Sequence, residues 1–462
     1  MKSISIFSIL VALIFSACTA DVKKVPTRSQ HPDYAYNAVI YELNTRQFTP
    51  EGTFAAAERQ LPRLDSMGVD IVWVMPIQPI GQLNRKGTLG SYYAISDYCA
   101  FNPEFGTRAD FESFLATAHS LGMKVILDWV ANHTSPDHPW VNNPGWHLRD
   151  SLGNLVVNYD WYDIAELNYD NADMRRAMTD AITWWVDSIG VDGFRCDVAH
   201  EVPTEYWNIT FANLRTTHPD LFTLCESEQP DLTESAFDMY YGWELHHLLN
   251  GVAQGQKTTA DIWAYLAKSD STFQPYAIRM NFTSNHDENS WNGTEFERMG
   301  KASDAMVALT FMLPGMPLIY TGQEFALDHR LAFFEKDTVP ENYIAHPIYG
   351  TVPVKYGLYK FLADYRHTLS SLASPDHGAP LNPVDFADQR IFSFTRTASA
   401  DSVFSIFNLS PDTVSVVIPQ NLQSYIITDI LPVQITLCPW AFVVSDTQRK
   451  NFYGGTTISS PR

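Results

Sequence analysis

The sequence predicts an α/β protein: a closed (β/α)₈ barrel with a small inserted subdomain, followed by an antiparallel β domain. Up to about residue 322, short runs of β-branched and aromatic residues alternate with helical stretches, which is typical of a parallel sheet. After about residue 373 the pattern changes to short alternating strands without helices. A doubly wound open sheet is the alternative for the first part, but no glycine-rich nucleotide loop follows the first strand.

Eight strands and seven helices are predicted for the barrel. The strands are 38–43, 69–75, 124–130, 192–198, 221–226, 237–242, 276–284 and 317–322. The helices are 53–67, 107–121, 171–189, 204–217, 243–253, 299–312 and 355–370. Five further strands are predicted at 390–396, 402–409, 413–419, 424–429 and 440–445. We therefore place the barrel at 37–372, with an irregular insertion at about 131–170 after the third strand, and the β domain at 373–462.

The composition excludes several classes of protein. The 462 residues are 45% hydrophobic and 18% charged, which indicates a globular chain with ample core. The formal net charge is −21. Such an acidic chain has no general reason to bind nucleic acid or an anionic membrane surface, so we expect a neutral or cationic substrate.

The N-terminal segment is predicted to be a targeting signal. Lys2 precedes an apolar run at 4–15 that is too short for a stable membrane span. Small residues stand directly before Cys18, in a pattern that resembles a bacterial lipobox. This predicts a signal peptide at 1–17, a lipid on Cys18, a linker at 18–36 and anchoring to the cell envelope, on the periplasmic face or the cell surface. A plain secretory signal with a chance cysteine is the alternative.

Acidic residues stand at the carboxyl ends of four predicted barrel strands. They are Asp128, Asp197, Glu226 and Asp287. Because catalytic side chains of barrels come from the carboxyl ends of several strands, these acids are expected to converge on one pocket. The strand-end cysteines, Cys196 and Cys225, are expected to be buried small hydrophobes.

Two of these acids suit the two roles of a retaining glycosidase. Arg195 lies two residues before Asp197, so both point into the barrel, and a guanidinium beside a carboxylate suits a nucleophile. Glu226 follows an apolar run on the next strand and suits a general acid. Retaining glycosidases need two such carboxyl groups about 5–5.5 Å apart, a spacing that adjacent strand ends can provide.

Four segments together resemble, in order and spacing, the alpha-amylase family of glycoside hydrolases. They are DWVANH (128–133), GFRCD (193–197), the Glu226 strand and SNHD (284–287). The segments GSYYAISDY (90–98), FNPEFGT (101–107) and GMPLIYTGQE (315–324) also resemble that family. The resemblance covers about 37–370 and implies the barrel and the C-terminal β domain. The string DVAHEV (197–202) is closer to the neopullulanase and cyclomaltodextrinase branch, and AELN (165–168) lacks the usual proline.

The resemblance also implies roles for individual residues. Asp197 is expected to be the nucleophile, Glu226 the acid/base and Asp287 the transition-state stabiliser. Arg195 would orient the nucleophile, and Asp128 would be a structural and hydrogen-bonding acid. The remaining sugar contacts would come from His133, His286 and Tyr93, with Tyr92 as the rival for the stacking aromatic.

One metal site is implied, and no organic cofactor. Asn132 corresponds to the family's calcium-ligand asparagine, and Asp160, Asp163 or Asp170 are candidates for further ligands, since calcium prefers several oxygens. Hydrogen bonds from Asn132 within the insertion are the alternative. Trp291, four residues after Asp287, is a candidate for the wall of a sugar-binding cleft.

The sequence thus predicts a retaining glycosidase acting on α-1,4 bonds of starch, glycogen or maltodextrins. A neopullulanase-like hydrolase or an α-glucan transglycosylase would use the same three acids. A non-catalytic glucan-binding surface protein is disfavoured, because all three acids are present. A metal-dependent barrel hydrolase is disfavoured as well, because the first strand, VIYELN (39–44), has no histidine pair. The sequence leaves the oligomeric state open.

Overall fold

The computed structural model describes residues 30–375, 377–426, 433–447 and 451–459. The predicted signal peptide, Cys18 and most of the predicted linker lie outside these ranges, so the lipid anchor stays a prediction. Within the ranges, no helix combines the length and the apolar character that crossing a membrane requires.

Eight parallel strands close into a barrel, which confirms the predicted fold class. Each strand pairs with the next one along the chain, and the eighth pairs with the first. The strands are Ile40–Leu43 (β1), Ile71–Val74 (β2), Lys124–Trp129 (β3), Gly193–Cys196 (β4), Phe222–Cys225 (β5), Met239–Tyr241 (β6), Ile278–Asn281 (β7) and Met316–Tyr320 (β8). Every predicted barrel strand overlaps one of them.

The barrel is filled from inside and covered from outside by alternate residues of the same strands. Ile71 and Trp73 of β2 belong to the inner core, together with Leu224 of β5. Val72 and Val74, between and beyond them, pack against the surrounding helices. This period of two fixes which side chains can reach the pocket at the carboxyl ends of the strands.

The helices surround the barrel. They are Thr45–Phe48 (α1), Phe54–Glu58 (α2), Leu61–Met67 (α3), Arg108–Ser120 (α4), Ala172–Trp184 (α5), Thr204–Leu214 (α6), Trp243–Ala253 (α7), Thr259–Thr272 (α8), Glu295–Met299 (α9), Ser303–Met312 (α10) and Tyr356–Thr368 (α11). The predicted helix at 53–67 is two helices, with Pro62 at the start of α3. The helix α8 was not predicted.

Two long segments lie at the carboxyl ends of the strands. The insertion after β3 is irregular, as expected, and is held by a short antiparallel pair, His133–Thr134 with Ala165–Glu166. The segment after β8 contains a hairpin, Tyr343–His346 with Gly350–Pro353, that the sequence analysis did not predict.

The C-terminal residues form an antiparallel sheet, as predicted. Its strands are Asn382–Pro383, Ile391–Thr397, Ser402–Asn408, Val414–Val417, Gln434–Asp446 and Asn451–Ser459. The prediction of a strand at 424–429 is wrong for residues 424 and 425, because they belong to the 3₁₀ helix Gln420–Tyr425. Residues 427–429 lie outside the described part of the chain.

Candidate active site

Three of the four predicted acids line one cavity at the carboxyl ends of the strands. Asp197 follows β4, Glu226 follows β5, and Asp287 lies six residues beyond β7. The cavity has a volume of about 560 Å³ and is also lined by Tyr93, His133 and His286. Its size is typical of a site for a small ligand.

The fourth acid, Asp128, lies beneath the cavity with Arg195. Both side chains are fully buried, and Arg195 Nη1 donates to Asp128 Oδ1 at 2.9 Å and to Asp197 Oδ1 at 2.8 Å. The hydroxyl of Tyr93 donates to the other oxygen of Asp128 at 3.0 Å. Asp128 and Arg195 therefore form a buried ion pair beneath the cavity, and this pair fixes the position of Asp197.

Glu226 is held by the residue that follows Asp197. The backbone N–H of Val198 donates to Glu226 Oε2 at 2.9 Å. Arg195 Nη2 also lies 2.9 Å from this oxygen, close enough for an ion pair but without the alignment of a hydrogen bond. Val198 has φ 34° and ψ 48°, a left-handed conformation that is strained for a β-branched residue. The strained turn thus points a backbone donor at Glu226.

The buried carboxyl groups share one electrostatic environment. Burial raises the pKa values of Asp128, Asp197 and Asp287 above the ordinary range. The charge of Arg195 is the largest opposing influence on the pKa values of Asp128 and Asp197, and the charge of His286 is the largest on that of Asp287. The two buried cations, Arg195 and His286, therefore favour the ionised form of these carboxyl groups against the effect of burial.

His286 contacts two carboxyl groups, and one of them, Glu42, was not identified from the sequence. Its Nδ1 lies 2.5 Å from Glu42 Oε1 on β1, and its Nε2 lies 2.8 Å from the Tyr93 hydroxyl and 3.3 Å from Asp287 Oδ2. Burial lowers the pKa of His286, but the charges of Asp287 and Glu42 outweigh burial and raise the pKa to about 9. Glu42 itself is fully buried, and burial raises its pKa. Glu42 lies two residues after Ile40, which points into the barrel. The alternation along β1 could therefore have indicated that Glu42 points inward as well.

His133 has the opposite protonation state from His286. It is buried in the insertion and lines the cavity. Burial lowers its pKa to about 4, so its imidazole is neutral at pH 7. The site therefore offers a sugar one charged and one neutral imidazole.

Aromatic side chains form the walls of the cavity. Trp161 and Tyr162 come from the insertion, and Phe333 and Phe334 come from the segment after β8. Trp291, predicted as a candidate wall residue, lines the cavity and is 52% exposed. Only Trp291 of these five was identified from the sequence, since the others carry no motif.

The neighbouring residues Tyr92 and Tyr93 occupy different positions relative to the cavity. Tyr93 lines the cavity, with its ring stacked on His286 and on Phe333. Tyr92 is buried behind it, where its ring packs against the guanidinium of Arg46 and the edge of Phe333. Tyr93 is thus the one positioned to contact a ligand.

The two cysteines at the strand ends, Cys196 and Cys225, are buried, as expected.

Among the described residues, the carboxylates expected to bind calcium with Asn132 do not form a cluster around it. Asp163 already lies 3.2 Å from the ammonium of Lys86, while Asp160 and Asp170 are exposed. Among described residues, the one cluster of three His, Cys, Asp or Glu ligands is His246, His247 and Glu288, away from Asn132. The amide of Asn132 lies 3.4 Å from His133 Nδ1. Calcium prefers six to eight oxygens, so its binding stays a prediction and no catalytic step is derived through it.

Comparison with known proteins identifies the family of this chain. The family model described as "Alpha amylase, catalytic domain" matches residues 37–151 and 141–347. An alpha-amylase of Haloarcula japonica is 30% identical over 407 residues, which are 84% of this chain and 58% of that protein. The chain thus spans a little over half the length of this curated relative.

Solved structures of similar proteins cover nearly the whole chain. An alpha-amylase from Lactobacillus plantarum is 30% identical with a TM-score of 0.76, covering 89% of this chain and 98% of that one. A noncanonic maltogenic alpha-amylase from Thermotoga neapolitana is 28% identical with a TM-score of 0.75, covering 92% and 99%. Barrel, carboxylate cluster and family match agree, and the chain belongs to the alpha-amylase family.

Proposed function

We propose that this protein is a retaining glycosidase that hydrolyses α-1,4-glucosidic bonds of starch, glycogen or maltodextrins. The observation that carries the proposal is the contact of Asp197 and Glu226 with the two terminal nitrogens of Arg195. Two oxygens that touch one guanidinium lie a few ångströms apart, which suits the carboxyl spacing of retaining enzymes.

In the first step, Glu226 is the acid and Asp197 the nucleophile. Oε2 of Glu226 is occupied by Val198 and Arg195, which leaves Oε1 to carry the proton to the glycosidic oxygen. As that oxygen takes the proton, the bond to the anomeric carbon breaks, and Asp197 forms an ester with this carbon. The leaving chain departs as an alcohol.

In the second step, Glu226 takes a proton from water. The water oxygen attacks the anomeric carbon, the ester to Asp197 breaks, and the sugar is released with its original configuration. The carboxylate of Asp287, 3.3 Å from His286, would stabilise the positive charge that develops on the ring in both steps. His133, His286 and Tyr93 would hold the sugar hydroxyl groups and ring.

The nucleophile provides the first test. Asp197→Asn keeps the shape of the side chain but removes its nucleophilic charge, so kcat on maltoheptaose should fall by at least about 10³-fold. The measurement is chromatography of products from starch, pullulan, cyclodextrin and maltoheptaose with the full chain. The exposed Asp412, changed to Asn, is the matched control.

The products decide between the alternatives. Short maltooligosaccharides from starch, absent with the variant, would support the proposal. Preference for cyclodextrin or pullulan would favour the neopullulanase-like reaction, and products longer than the supplied maltoheptaose would show transglycosylation. Binding of glucan without turnover would contradict the enzyme and favour a binding protein.

A further inference from the structure

One end of the cavity is bridged by the segment 79–90, which follows β2. On one side this segment binds the insertion: Asn84 Nδ2 donates to the carbonyl of Tyr162 at 3.1 Å. The backbone N–H groups of Gln82 and Leu83 donate to Asp137 Oδ2 at 2.7 and 3.1 Å. The segment is therefore fixed to the wall that carries Trp161 and Tyr162.

On its other side the same segment binds the opposite wall. The N–H of Leu89 donates to the carbonyl of Phe334 at 3.0 Å, and the N–H of Thr88 donates to Glu335 Oε1 at 2.9 Å. Gly87, directly before Thr88, has φ +61°, and a Cβ there would be 2.5 Å from the Cβ of Phe334. Glycine is what lets the two backbones approach so closely.

Lys86 lies at the middle of this bridge and faces the cavity. Its Nζ lies 4.8 Å from the ring centre of Tyr162 and 6.0 Å from that of Phe334, between the two walls. Its side chain is 16% exposed and pairs with Asp163 at 3.2 Å. An ammonium group has three donors, so Lys86 retains donors for a ligand after binding Asp163.

The bridged end lies on the side of the cleft that holds the sugar being transferred. Phe333, next to the bridge, stacks on Tyr93 and lies 6.2 Å from His286, and the charge of Asp163 acts on His133. Glu226, which serves the leaving group, contacts Val198 and Arg195 instead. We take the leaving-group side to be the one away from the bridge, because no hydrogen bond or ion pair of the described residues joins Glu226 to the bridge.

We propose that the bridge makes the cavity a blind end that receives the non-reducing end of an α-1,4-glucan, with Lys86 and Asp163 binding the terminal hydroxyl groups. A blind end limits how many glucosyl units fit beyond the cleaved bond. The enzyme would therefore release a short maltooligosaccharide of fixed length from chain ends. This inference rests on the proposed function, whose substrate it specifies.

A pair of substrates tests the blind end directly. One is p-nitrophenyl maltoheptaoside, and the other is the same compound with its non-reducing 4- and 6-hydroxyl groups blocked as an ethylidene acetal. The full chain should cleave the blocked compound at least about 100-fold more slowly, since hydrogen bonds to charged groups are lost and the end is excluded. The free compound should give one dominant non-reducing-end product at early times.

The outcomes separate the two hypotheses. Equal rates on both compounds, or a random mixture of early products from the free one, would overturn the blind end and leave the glycosidase intact. Failure to cleave the free compound would contradict the proposed function, and the inference would fall with it.

Two variants test the bridge itself. Lys86→Met keeps the length of the side chain and removes its donors, so kcat/KM on maltotetraose should fall about ten-fold, mainly through KM. The thermal midpoint should fall as well, because the buried carboxylate of Asp163 loses its partner, so the split between KM and kcat is the deciding measurement. The exposed Lys301, changed to Met, is the control. Gly87→Ala should separate the segment from Phe334 and allow cleavage of the blocked compound. Unchanged kcat/KM and products with Lys86→Met would overturn the role of Lys86.

Discussion

At the scale of single residues, the site depends on one buried cation. The guanidinium of Arg195 lies over the faces of Trp73 and Tyr241, at 5.0 and 5.4 Å from the ring centres, while its nitrogens contact three carboxyl groups. Removing a charge from water costs several kcal/mol unless close partners offset the loss. Because Asp128, Asp197 and Glu226 provide that offset together, the position of each depends on the other two.

The pair of Glu42 and His286 gives a prediction about pH. Glu42→Gln keeps the volume but removes the negative charge that helps to raise the pKa of His286 to about 9. The pKa of His286 should therefore fall, and the imidazolium should lose its proton at lower pH than in the natural protein. The alkaline limb of kcat/KM should shift to lower pH, with about ten-fold lower activity at pH 8.

A pH profile from 5 to 10 on a chromogenic maltooligosaccharide measures this shift. An alkaline limb that stays in place, with kcat/KM lowered equally at every pH, would assign Glu42 a purely structural role. The thermal midpoint of the variant serves as the control for folding.

Glu42 also shows which residues of the site can be predicted from the sequence and which cannot. The acids Asp197, Glu226 and Asp287 stand in motifs at strand ends, so their convergence followed from the barrel alone. Glu42 stands inside an apolar strand without a motif, and its partner His286 is 244 residues away. Parity along β1 indicates that Glu42 points inward, but no local signal identifies the partner.

At the scale of elements, β4 positions the chemistry through alternation. Gly193, Arg195 and Asp197 follow each other at every second residue, so all three share the inner side of the barrel. A Cβ on Gly193 would lie 1.9 Å from the carbonyl oxygen of Phe222 on β5. Glycine therefore permits the close approach of β4 and β5 that places Asp197 beside Glu226.

Gly193→Ala should lower the free energy of unfolding by about 3 kcal/mol, because a backbone atom of the neighbouring strand must move. Activity should fall as well, since β4 and β5 carry the two reacting carboxyl groups. Urea unfolding and kcat on maltoheptaose measure both effects. Gly255→Ala is the matched comparison: its φ is +72° with nothing within 4 Å, so about 1 kcal/mol is expected there. Equal losses for the two variants would contradict the close approach.

The elements differ in how far the sequence could predict them. The barrel strands are apolar runs, and all eight were located, although each observed strand is shorter than the predicted one. The helix α8 was missed, although Thr258 and Asp261 form a capping box and Ile262, Tyr265 and Leu266 give its buried face. The bridge at 79–90 had no local signal, because Leu89 and Phe334 are 245 residues apart in the sequence.

At the scale of the whole molecule, a buried arginine joins the barrel to the C-terminal sheet. Arg396 lies on the strand Ile391–Thr397 and is 1% exposed. It donates to the carbonyls of Ala379 at 2.8 Å, Ala373 at 3.1 Å and Met312, the last residue of α10, at 3.2 Å. One side chain thus ties the sheet to a barrel helix and to the segment between them.

Arg396→Met should therefore destabilise the molecule as a whole. It retains the aliphatic stem but leaves three buried carbonyl groups without their donor, and each unsatisfied group costs about 1–3 kcal/mol. We expect the free energy of unfolding, measured with urea, to fall by about 3 kcal/mol or more. If Arg396 holds the sheet on the barrel, the sheet should unfold before the barrel. Arg390→Met, at an exposed arginine just before the same strand, should leave the unfolding midpoint unchanged. Since Arg396 lies far from the carboxylates of the cavity, products and KM below the transition should match those of the natural protein. A variant with altered products but normal stability would show instead that the sheet acts on the site.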